Sequence, residues 1–187
     1  MALVIAEAGE NHCGDLDMAL RLTQVAATAG ADYVKFQMYD AATVDASDPE
    51  KEWFEKVQVS EEMLGTLVDH ARSCGIMPLC TPWDRDKAEM IFGSGISDMK
   101  IASFHIVDRE LLRFVNTRAR RVFLSTGMSS MEEIEAAVQL LDTVPELYLL
   151  HCVSEYPLEN ERVNLRVMDT LRDKFGARAR KIGRAHV

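Results

Sequence analysis

The sequence predicts an α/β fold with a parallel sheet, and three observations predict it. Short apolar runs rich in β-branched residues alternate with amphipathic helical stretches along the 187-residue chain. Residues that start and stop helices stand at the joints between them. The polar residues of the runs gather at their C-terminal ends, where parallel α/β folds hold their ligands.

Each element has its own local reason. The run LVIAEAG (3–9) ends on Glu7 and leads to Asn11 and His12. Asp15 caps a helix predicted over 15–29, and Gly30 closes it. DYVKFQ (32–37) supplies Lys35 and Gln37. The connection 38–59 is long enough to lie over a site, with a short helix near 49–56. Ser60 caps a helix over 60–74 that Gly75 ends. MPLCTP (77–82) supplies Thr81, with Trp83 just beyond, and precedes a helix over 84–92. DMKIAS (98–103) carries Lys100 and Ser103, followed by His105 and a helix over 107–116.

RVFLSTG (121–127) supplies Ser125 and Thr126. Ser130 and Glu133 form a capping box for a helix over 130–142. That helix sets Ile134, Ala137, Val138 and Leu141 on one face, as packing on a sheet requires. LYLLHCVS (147–154) supplies His151 and Ser154, with Glu155 and Tyr156 after it. A last helix is predicted over 164–175, and 181–183 can begin a seventh strand.

Repeated strand–helix units imply parallel strands joined by right-handed crossovers. Two architectures satisfy this, a (β/α)8 barrel and a doubly wound open sheet. No G-x-G-x-x-G follows the first run, which weakens the dinucleotide-binding version.

Composition narrows the function classes. The chain is 48% hydrophobic and 27% charged, as suits one globular domain. A net charge of −9 argues against a general nucleic-acid binder. Residues 162–184 carry eight Lys/Arg against two Asp/Glu, read here as a solvated helix face. No apolar run approaches the roughly 20 residues of a membrane span, and the N-terminus lacks a basic signal region. Cys13, Cys74, Cys80 and Cys152 form no CxxC pair, which suggests free thiols in a reducing cytoplasm.

A single lysine in a strand ordinarily lies along the pleat and reaches water with its amine. Two lysines at matching places, among several hydroxyls, point instead to an anion with several oxygens. Ser129 and Ser130 read as turn and cap residues. His151 reads as a hydrogen-bonded core histidine, and His12 is open between loop structure and site. No close histidine cluster offers a metal site.

IAEAGENHCGD, GADYVKFQ, CTPWD, KIAS, FLSTGMSSMEEIEAAV and LLHCVSEYP, in this order, resemble the sialic acid synthase family over about residues 3–176. That family includes N-acetylneuraminate, legionaminate and pseudaminate synthases. The resemblance implies a (β/α)8 TIM barrel, incomplete here, followed in the family by a small antifreeze-like domain. It implies a transferase that condenses phosphoenolpyruvate with an N-acylated amino sugar, releasing phosphate. It also implies a divalent metal, manganese or magnesium, as Lewis acid, and a homodimer paired through the C-terminal domain. Other readings are a 3-deoxy-sugar-acid synthase and a non-catalytic sugar-phosphate binding module.

Carried over by motif, the resemblance makes Lys35, Thr81, Lys100, Ser103, Ser125 and Ser154 the phosphoenolpyruvate pocket. Glu7 becomes the acidic residue near the reacting centre, and Gln37 and Tyr156 become sugar contacts. His105 stands where the family commonly has a sugar-facing glutamate, so its catalytic part is where the chain departs from the pattern. The family's two metal-binding histidines, after the sixth unit, have no counterpart, and His186 is excluded as a ligand. Residues 1–180 are therefore expected to be a truncated barrel and 181–187 a non-native tail. The expected consequences are open edges on the first and sixth strands and a fragment without synthase activity.

Overall fold

Strand–helix alternation is realised as two compact units, Met1–Ile96 and Ser97–Val187. The computed structural model describes residues 2–155, 157–179 and 181–184. In the first unit the elements are β1 (Ile5–Gly9), α1 (Leu16–Thr28), β2 (Tyr33–Met38), α2 (Lys51–Val57), α3 (Glu61–Ser73), β3 (Met77–Pro82) and α4 (Arg85–Gly93). In the second they are β4 (Asp98–Ile101), α5 (Arg109–Asn116), β5 (Arg121–Ser125), α6 (Met131–Leu140), β6 (Glu146–His151), α7 (Val167–Phe175) and β7 (Lys181–Arg184). All pairings are parallel: β1 with β2 and β2 with β3 in one unit, and β4 with β5, β5 with β6 and β6 with β7 in the other.

The helix starts expected from sequence are made by side chains. Asp15, Ser60, Asp84, Asp108 and Ser130 each accept a hydrogen bond from a backbone N–H three residues on. Each such cap is worth about 1 kcal/mol. The capping box is complete: the Ser130 N–H donates to Glu133 Oε2 at 2.7 Å, and the Glu133 N–H donates to Ser130 Oγ at 3.2 Å. On α3, Leu64, Leu67, Val68 and Ala71 are buried, the one-face spacing of a helix on a sheet.

Both faces of the strands are covered, so they read as near-continuous apolar runs. In the second unit Met99, Ile101, Val122, Leu124, Leu147 and Leu149 share one face and are fully buried. The other face is layered by register. Asp98, Arg121 and Glu146 are aligned first, then Lys100, Phe123 and Tyr148, then Ser125 beside Leu150. The first unit repeats the pattern, with Glu7 beside Lys35 and Gln37 beside Thr81.

Three expectations change. The fourth strand stops at Ile101, and residues 103–105 form a 3-10 turn, because Ile106 N–H bonds back to Ser103 O. The long connection holds a 3-10 turn at Ala41–Thr43 as well as α2. The sixth strand is not an edge within its unit, since β7 pairs along it from Tyr148–Lys181 to His151–Arg184. No helix among the described residues is long and apolar enough to cross a membrane.

Candidate functional site

The polar strand ends form one cluster in each unit. In the first, Lys35 is 6% exposed, so its ammonium needs partners inside the protein. It has them: Nζ lies 2.8 Å from Glu7 Oε2 and donates to Thr81 Oγ1 at 3.3 Å. Register explains the meeting, because Glu7 pairs with Lys35 across β1–β2 while Thr81 lies two residues beyond the Lys35 partner on β3. Gly9 has φ +49°, and a Cβ there would stand 3.2 Å from Glu7 Oε1 and 3.8 Å from Gln37 Nε2. The glycine lets β1 turn while its backbone stays close to both site side chains.

Gln37 is oriented by a residue beyond the strand. The Trp83 indole N–H donates to Gln37 Oε1 at 3.3 Å. An indole N–H can only donate, so the amide oxygen must face it and the amide NH2 is turned the other way. Trp83 is itself packed against Tyr39, with ring centroids 4.6 Å apart, and against Phe54 at 5.8 Å. Glu10 ties this loop to the end of β1: its carboxylate accepts from Tyr39 OH at 3.0 Å and from Trp53 Nε1 at 2.9 Å. Burial and the Glu10 charge push the Tyr39 phenol up, so it stays a donor.

Beside this cluster His12 is fully buried, with Nδ1 accepting the Gly14 N–H at 3.1 Å. That is a loop-forming bond, and it places the ring proton on Nε2. Burial holds the ring below its ordinary titration range, partly offset by Glu10. Cys80 is buried beneath the cluster, and burial pushes its thiol up to about 12, so it is inert.

In the second unit Lys100 is 8% exposed, and its Nζ donates to the Ile101 carbonyl at 3.1 Å. Ser103 and Ser154 converge on Gly127: a Cβ on Gly127 would stand 2.9 Å from Ser103 Oγ and 2.8 Å from Ser154 Oγ. Ser125 is 1% exposed, and its Oγ has no hydrogen-bond partner among the described residues. His105 sits in the turn after β4, half-buried, its ring 4.2 Å from that of Phe104. Tyr156 lies outside the described residues.

Neither lysine therefore follows the ordinary reading of a strand lysine whose amine reaches water. His151 does follow the ordinary one: it is buried and its Nε2 bonds the Val163 carbonyl at 2.8 Å. Ser130 caps α6, and Ser129 Oγ donates to Gly127 O, so both are local structure. Sequence reasoning missed Gly127, Cys152 and Glu10, since each acts through contacts that no local pattern encodes. All four cysteines are free. Among the described residues no group of three or more His, Cys, Asp or Glu side chains is placed to hold a metal ion. The donors here suit an anion: ammonium groups and hydroxyls.

Comparison with known proteins relates the chain to one family. The sequence profile of the NeuB family matches residues 22–183. An N,N'-diacetyllegionaminic acid synthase of Campylobacter jejuni is 33% identical, the match covering 92% of this chain and 58% of that protein. A pseudaminic acid synthase of the same species is 29% identical, with 92% and 55% covered. The crystal structure of an N-acetylneuraminic acid synthetase from Leptospira borgpetersenii, in complex with citrate, superposes with a TM-score of 0.90 at 33% identity, covering 97% of this chain and 64% of that one. The chain spans about half the length of the curated relatives it matches.

Proposed function

Since the chain belongs to the NeuB family, we propose that it is the barrel portion of a nonulosonic acid synthase. The full protein condenses phosphoenolpyruvate with an N-acylated amino sugar, forms a carbon–carbon bond, takes up water and releases inorganic phosphate. The two buried lysines, each the third residue of its strand, Lys35 in β2 and Lys100 in β4, carry this reading. Burying two ammonium groups is unfavourable unless a strong anion, or a stand-in such as the Glu7 carboxylate, meets them.

Lys35 and Thr81 in the first unit, and Lys100, Ser103, Ser125 and Ser154 in the second, are read as phosphoenolpyruvate contacts. Glu7 keeps Lys35 compensated and stands near the reacting carbon. Gln37, with its NH2 turned away from Trp83, donates to a sugar oxygen; Tyr156 and His105 belong to the sugar side. Imidazole donates as well as accepts, so His105 changes which sugar groups can be met.

The seven strands are read as most of a (β/α)8 barrel of a cytoplasmic enzyme, the full-length protein being a homodimer. The manganese or magnesium ion that the resemblance implies does not fit the described residues, which offer no ligand group for it.

The test is an assay of the full-length protein with phosphoenolpyruvate, each candidate N-acylated amino sugar and a divalent metal. Release of phosphate together with a nonulosonic acid supports the reading. Condensation only with a phosphorylated aldose would replace it with a 3-deoxy-sugar-acid synthase, and binding without turnover would leave a sugar-phosphate binding module. His105→Glu, compared on N-acetylmannosamine and di-N-acetylated sugars, is expected to shift preference between them.

A further inference from the structure

Gly127 and Cys152 hold the second unit's cluster, and the proposed reaction gives neither of them a part. The Gly127 N–H is shared between Ser103 Oγ at 3.1 Å and Cys152 Sγ at 3.2 Å. Ser103 Oγ and Cys152 Sγ are themselves 3.1 Å apart. A Cβ on Gly127 would stand 2.9 Å from the sulfur as well as beside both serine hydroxyls, so only glycine lets the backbone approach. Ser103 and Cys152 are both buried, at 9% and 6% exposed.

The protons in this triangle can be counted. Ser103 Oγ has one proton and two lone pairs. One lone pair takes the Gly127 N–H, and either the other lone pair or the proton faces the thiol. If the thiol donates, both lone pairs are filled and the serine proton has to point out of the triangle. If the serine donates to sulfur, that proton is spent on a weak acceptor. An anionic oxygen is a far stronger acceptor than a thiol, so a bound anion draws the serine proton outward. The thiol then turns its own proton to Ser103 Oγ, and each bond of the chain polarises the next.

We propose that Cys152 is a positioning residue for Ser103: with an anion bound, its S–H donates to Ser103 Oγ, which commits the serine hydroxyl to the anion. This rests on reading Ser103 as a phosphate contact. A space-filling role would be met by any side chain of similar size, whereas this role needs a donor at the sulfur position.

The test is isothermal titration of the 187-residue chain and its variants with inorganic phosphate and with phosphoenolpyruvate, each variant first checked for an unchanged melting curve. Cys152→Ala is expected to weaken binding roughly three- to tenfold, as suits loss of one modest hydrogen bond. Cys152→Ser is expected to bind within about twofold of wild type, because the hydroxyl still donates. Cys152→Val fills the space without a donor and is expected to bind as weakly as the alanine variant. In a Ser103→Ala background, Cys152→Ala is expected to have no further effect. If wild type binds both ligands and Cys152→Ala or Cys152→Val binds equally well, the positioning role is overturned while the phosphoenolpyruvate reading stands. If wild type binds neither ligand, the phosphoenolpyruvate reading falls and takes the positioning role with it. Should the alanine variant fail to fold, the serine–valine comparison decides.

Discussion

Lys35 Nζ lies 2.8 Å from Glu7 Oε2, and the two partners are unequally covered, the lysine side chain 8% exposed and the glutamate 42%. The lysine depends on the pair, while the carboxylate has water to fall back on. Glu7→Gln removes the competing charge and leaves Lys35 to an incoming anion, so inorganic phosphate is expected to bind more tightly. Lys35→Met removes the cation and is expected to weaken it more than tenfold, a charge-assisted bond being worth about 1.5–3 kcal/mol. Titration calorimetry on the two variants reads opposite signs; the same sign in both would exclude Lys35 as the shared cation.

Lys100→Met tests the second lysine in the full-length enzyme. The Michaelis constant for phosphoenolpyruvate is expected to rise by roughly ten- to a hundredfold, with the sugar's constant little changed. An unaltered constant in a normally folded variant would remove Lys100 from the pocket.

Trp83→Phe keeps the ring stack with Tyr39 and Phe54 but deletes the N–H that holds Gln37 Oε1. The freed amide turns both ways, and binding of the sugar is expected to weaken by roughly two- to tenfold, leaving phosphoenolpyruvate unaffected. Steady-state kinetics with each substrate varied in turn separates the two.

The buried His12 predicts a pH dependence of stability. Its folded-state pKa is lowered from 6.5, so the unfolded chain binds the proton more readily. Stability is therefore full above about 6.5 and is lost as pH falls below that value toward the folded pKa. Urea unfolding between pH 8 and 5 is expected to show this decline, and His12→Gln is expected to flatten it. An equal decline in both proteins would assign the effect to other groups.

At the N-terminal ends of β4, β5 and β6, Arg121 bridges Asp98 at 3.4 Å and Glu146 at 2.7 Å, while Arg120 reaches Asp98 at 2.6 Å. Arg121→Met removes the contact to Glu146 and the longer of the two contacts to Asp98, which keeps Arg120, and is expected to lower stability by about 3 kcal/mol. Denaturant unfolding measures it. A loss below about 0.5 kcal/mol would mean the pair breaks even against an apolar side chain.

Much of the fold was legible because its signals are local. Asp15, Ser60 and Ser130 announce helices by the atoms they carry, and β-branched runs announce strands wherever they lie. The two lysines were legible as anomalies within apolar runs. The Cys152–Ser103 contact was not, because it joins residues 49 apart in sequence through a glycine between them, one in the turn after β4 and the other just past β6. Glu10 was hidden for the same reason: its partners Tyr39 and Trp53 lie on a connection whose path no periodicity predicts. The end of β4 was placed too late because Ala102 and Ser103 suit a strand as well as the 3-10 turn they enter.

Along β5 every second residue faces the same way, and each step of two changes its task, from Arg121 among carboxylates to Phe123 against the Tyr148 ring to the unbonded hydroxyl of Ser125. Foundation and workplace are thus separated by about 13 Å of strand. A lineage can rewrite the last residues of its strands, and the turns beyond them, without loosening what keeps the chain folded. Libraries that seek a new sugar should randomise the positions around His105 and Trp83 and leave the Asp98–Arg121–Glu146 layer untouched.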